Sequence, residues 1–76
     1  MIINEKVFSI LLAANVHHCD VEVDEKSITI DAPSLWDYEE VAAAVVLSVK
    51  DRSYVIESPG WRHIYIITEA FGDDFT

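Results

Sequence analysis

The chain has 76 residues, 51% of them apolar and 25% charged, with 14 acids against 5 bases and a net charge of −9. That length allows one domain near the smallest size a single core supports, and the apolar fraction belongs to a folded chain, not a disordered one. The charge argues against nucleic acid or an anionic membrane as a direct partner, since both need a positive footprint; it points to a basic protein, which long-range attraction would steer onto this one.

A lone cysteine, Cys19, makes no internal disulfide, and small secreted domains are usually stapled. The start, Met1-Ile2-Ile3-Asn4-Glu5, lacks the basic lead of a signal peptide, and the apolar runs are too short to span a bilayer. The expected compartment is a reducing cytoplasm.

In chain order, Asn4 reads as the N-cap of a first helix, with Glu5 favourably placed near its positive end. Val7, Phe8, Ile10, Leu11, Leu12 and Ala14 form a wide apolar stripe at helical spacing. His17 and His18 stand where that helix should end.

The next stretch, Cys19 to Ala32, alternates with period two. Val21 and Val23 interleave with Asp20, Glu22 and Asp24, while Ile28 and Ile30 interleave with Thr29 and Asp31. Successive strand residues point to opposite faces, so this is a hairpin with one apolar and one acidic face. Asp24-Glu25-Lys26-Ser27 is the polar turn, and the Asp24 side chain can take a nearby backbone N–H. The implied register sets Val23 opposite Ile28, Glu22 opposite Thr29, and Asp20 opposite Asp31. Opposed carboxylates about 5 Å apart at Cβ repel by roughly 0.8 kcal/mol in water. A solvated face that keeps the chain soluble and blunts a sheet edge would look the same.

Pro33-Ser34 opens a second helix, with Ser34 as N-cap and Asp37 at the capping-box position. Leu35, Tyr38, Ala42, Val45 and Val49 fall at helical spacing. The run Val41–Leu47 is apolar nearly all round, which implies a helix sandwiched in the domain or buried against another copy. Residues 52–57 and 62–68 read as a second hairpin about Ser58-Pro59-Gly60-Trp61, with Glu57 opposite Arg62. One face holds Val55, Ile64 and Ile66; the other holds Tyr54, Ile56, His63, Tyr65 and Ile67, a candidate self-association surface if exposed. The whole is expected to be α+β in the order α-β-β-α-β-β, two helices on a four-stranded antiparallel sheet. Residues 1–70 form the single domain, and 71–76 an acidic, flexible tail.

No motif specifies a reaction or a cofactor. His17-His18-Cys19-Asp20, with His63 as an outlying arm, has metal-type residues, but neighbours at a helix end diverge instead of converging tetrahedrally. Cys19 shares parity with the buried valines, against its use as a nucleophile. Asp20, Glu22 and Asp31 lack the loop of a dedicated calcium site, and Gly60 and Gly72 make no phosphate-cradling loop.

Three functions follow. The first is an inhibitor that fills the basic nucleic-acid-binding groove of another protein. Asp20, Glu22, Asp24 and Asp31, flanked by Asp37, Glu39 and Glu40, would stand in for phosphates. In size, acidity and lack of catalytic motifs the chain resembles, as a type, small phage-encoded proteins that disable host DNA-binding or defence systems. The second is an antitoxin- or immunity-type partner of a basic toxin or nuclease. The third is a self-associating structural domain, a homodimer through the Tyr54–Ile67 face or the Val41–Leu47 helix.

Overall fold

The computed structural model describes residues 5–49 and 51–69. The Asn4 cap and the acidic tail lie outside them. The elements run α1 (Glu5–Val16), β1 (Asp20–Val23), β2 (Ser27–Asp31), α2 (Leu35–Ser48), β3 (Val55–Ser58) and β4 (His63–Ile67). The fold is the α+β arrangement expected, two helices and one antiparallel sheet. The strand order is β1-β2-β4-β3, so the two hairpins join at a central β2–β4 seam.

That seam holds the core. Ile28 pairs with Ile66 and Ile30 with Ile64, and all four are fully buried. Burying each isoleucine is worth about 1.5–3 kcal/mol. Val7, Ile10 and Ala14 of α1 and Tyr38, Val41 and Val45 of α2 complete the cluster, with Val21 and Val55 packed at its margins. Both helices therefore lie on the aliphatic face of the sheet.

The α1 stripe is narrower than the sequence implies. Val7, Ile10 and Ala14 are buried and Leu11 half-buried, while Phe8, Leu12 and Val16 are more than half exposed. A helix resting on one layer buries about a third of its circumference, and a stripe six residues wide exceeds that. The same limit applies to α2, where Leu47 is 87% exposed and the Val41–Leu47 run is covered on one side only.

Helix α1 stops through backbone geometry. His18 takes the left-handed conformation (φ 58°), its N–H reaches Asn15 O at 3.1 Å, and Cys19 N–H reaches Ala14 O at 2.9 Å. These bonds are the Schellman pattern, usually built on glycine. At α2, the Ser34 hydroxyl accepts from Asp37 N–H at 3.1 Å and donates to Asp37 Oδ2 at 2.7 Å.

The first hairpin has the register read from its parity, including Asp20 opposite Asp31, and Asp24 Oδ1 accepts from Glu25 N–H at 2.7 Å. The second differs by two residues: Glu57 faces Ile64 and Ser58 faces His63. The reason is Arg62. It closes the turn Pro59–Trp61 in a left-handed conformation (φ 54°) and is tied to the end of β2. Its carbonyl accepts from Ala32 N–H at 2.9 Å, and its Nε donates to Ala32 O at 3.2 Å. A slip of two keeps every side chain on its face. Upstream, Arg52–Tyr54 is a single 3₁₀ turn capped by Asp51, so Tyr54 precedes the ladder instead of joining it.

Candidate functional site

With both helices on one side, the other side of the sheet presents its side chains uncovered by either. Pairing across all four strands arranges them in rows. One row reads Asp20, Asp31, His63, Ser58 from β1 to β3; the next reads Glu22, Thr29, Tyr65, Ile56; a shorter one holds Ser27 and Ile67. Rows lie about 6.7 Å apart along the strands, and neighbouring strands are about 4.8 Å apart. The β1–β2 side is thus carboxylate and hydroxyl, and the β4–β3 side aromatic and aliphatic. Neither Lys nor Arg occurs in these rows.

The sequence treated the acidic and aromatic sets as separate surfaces. They are two halves of one. Asp20, Glu22 and Asp31 share it with Ile56, His63, Tyr65 and Ile67, and Asp24 sits at its end in the β1–β2 turn. Tyr54 stands off it in the preceding turn.

Asp37, Glu39 and Glu40 do not join the face, because α2 lies behind the sheet. Glu39 and Glu40 are exposed there. Asp37 is half-buried and engaged: its Oδ1 is 2.8 Å from His17 Nδ1, while its Oδ2 takes the Ser34 hydroxyl. The Ser34 hydrogen bond, then that to His17, holds the Asp37 carboxyl below its ordinary range. The His17 ring also meets Trp36 edge-on, with centroids 5.4 Å apart.

The metal-type residues scatter. His17 is spent on Asp37, His18 forms the exposed left-handed turn, Asp20 points to the open face, and Cys19 packs against the core. Burial, and then the negative charges of Asp37, Asp20 and Asp31, push the Cys19 thiol up. Among the described residues, no group of three or more His, Cys, Asp and Glu side chains gathers as a metal site would.

One contact on the open face was not legible from either hairpin alone. His63 Nδ1 lies 2.7 Å from Asp31 Oδ1, across the β2–β4 seam. Beside it a pocket of about 320 Å³ is lined by Asp31, Ser58, Trp61 and His63. Trp61, in the turn between β3 and β4, is 81% exposed. Among the described residues no hydrogen bond joins His63 to Ser58, so the imidazole is oriented by a carboxylate without bearing on the hydroxyl.

No described helix is long and apolar enough to cross a membrane. Comparison with protein-family models, with curated proteins and with solved structures finds no match to this chain.

Proposed function

We propose that this protein is a small cytoplasmic inhibitor that binds a basic, nucleic-acid-binding protein through the open face of its sheet, its carboxylates occupying positions that phosphates would take. The observation that carries this reading is the gathering of Asp20, Glu22 and Asp31 on one uncovered face with no lysine or arginine among them. Carboxylates of this kind form short, charge-assisted hydrogen bonds with Lys and Arg.

The footprint is modest. Duplex DNA carries about one charge per 1.7 Å of axis, and three carboxylates with Asp24 at their end cover only a few phosphate positions. The apolar half, with Tyr65, Ile67 and Ile56, supplies area that a phosphate chain lacks. A target therefore needs a basic patch beside an apolar one. A basic toxin or nuclease with such a patch would be met in the same way.

Self-association through this face is less well supported. A second copy turned about a two-fold axis sets carboxylates against carboxylates or against Tyr65 and Ile67. Neither arrangement brings them a lysine or an arginine, since none occurs in these rows.

The test is affinity capture from lysate with and without competing duplex DNA, followed by titration of the captured protein. Binding should weaken steeply as salt rises, and Asp20→Lys with Glu22→Lys should abolish it while the circular dichroism spectrum stays native. Retained affinity in that double variant sinks the reading.

A further inference from the structure

We propose that the partner anchors on this face with an arginine side chain seated in the pocket between the Trp61 indole and the Asp31 carboxylate. The inference rests on the acidic-face reading and specifies what that face grips.

The pocket has two unlike walls. Its polar wall is Asp31, whose Oδ1 lies 2.7 Å from His63 Nδ1 and whose Oδ2 has no hydrogen bond among the described residues. The imidazole fixes the direction in which the carboxylate presents. Asp20 stands directly opposite Asp31 on the neighbouring strand, adding a second negative group beside the pocket. Its apolar wall is Trp61, carried by a turn whose end is held to β2 by both Arg62–Ala32 hydrogen bonds. A large aromatic ring at 81% exposure, next to a carboxylate, suits a cation: the indole face attracts positive charge more strongly than other rings do. The two carboxylates repel an anion, and the Asp31, Ser58 and His63 lining gives an aliphatic group little to bury against.

Of the two side-chain cations, guanidinium fits better. It is planar and weakly hydrated, so it can lie on the indole while its in-plane N–H groups reach the Asp31 carboxylate. An ammonium is a compact, strongly hydrated charge that cannot do both. Within this chain Arg62 is committed to Ala32 O and Arg52 lies 3.9 Å from Glu57 Oε2, so the arginine comes from the partner.

The experiment uses the full chain carrying Trp36→Phe, which leaves Trp61 as the sole tryptophan, excited at the red edge of its absorption where the three tyrosines do not contribute. It is titrated with two short capped peptides of equal charge, one with three arginines and one with three lysines. The arginine peptide should shift Trp61 emission saturably and bind several-fold tighter than the lysine peptide. Trp61→Ala, read by calorimetry, and Asp31→Asn should each weaken it by roughly two- to fivefold or more, down to the level of the lysine peptide. Equal affinity for both peptides, or an arginine preference that survives both substitutions, overturns the proposal. If the peptides bind equally and Asp20→Lys with Glu22→Lys abolishes both, the acidic-face reading stands and the arginine pocket alone falls. If neither peptide binds, the arginine pocket falls, while the acidic-face reading is decided by the captured protein and its response to Asp20→Lys with Glu22→Lys.

Discussion

Two side chains in the helix layer carry opposite accounts. Tyr38 is 4% exposed, and among the described residues its hydroxyl has no hydrogen-bond partner. Burial first, and the nearby Glu57 charge second, push its ionisation up. A buried hydroxyl left unpaired costs about 1–3 kcal/mol, so Tyr38→Phe should raise the denaturant midpoint by an equivalent amount, with the slope of the transition unchanged. Asp37 is the reverse case, a carboxylate with every oxygen engaged. Its folded value lies below the ordinary 3.8, so its ionised form stabilises the fold. That contribution is fully present above pH 3.8 and is lost as pH falls through the lowered folded value. Thermal midpoints of the wild type and Asp37→Asn should therefore differ at neutral pH and converge in strong acid. A gap that persists or widens in acid would contradict this assignment.

Among the elements, α1 separates what periodicity shows from what it does not. Ile10 and Leu12 look equivalent in the stripe, yet one is fully buried and the other 52% exposed. Ile10→Ala should cost about 2–5 kcal/mol and Leu12→Ala under about 1 kcal/mol, measured by chemical denaturation. The hairpin Asp20–Asp31 was fully legible because strict alternation on both strands fixes register and face together. The second hairpin was legible in its faces alone. Its turn was placed one residue early, because Arg62 accepts a left-handed backbone that a sequence reading reserves for glycine or asparagine. Ser34 was legible as a cap. Asp37 was legible at the capping-box position beside it, but its second contact was not, since His17 lies 20 positions away.

At the scale of the molecule, the candidate site was half visible. The acids could be read from β1 and β2, and the aromatic residues from β4 and β3. Nothing local says that β2 and β4 are neighbours, so the union of the two sets, the Asp31–His63 contact and the pocket at Trp61 emerge only from the strand order. That order also bears on how the chain folds. β4 is the fourth strand in sequence but sits inside the sheet, between β2 and β3. An emerging helix–hairpin half has Val23 and Val21 beside Ile28 and Ile30 on one side only, and their other side stays open until residues 64–66 arrive. Closing so distant a pairing spends chain entropy before any reward is collected. The expected outcome is one all-or-none transition for the whole chain, and a helix–hairpin half expressed alone should show no cooperative melt by circular dichroism.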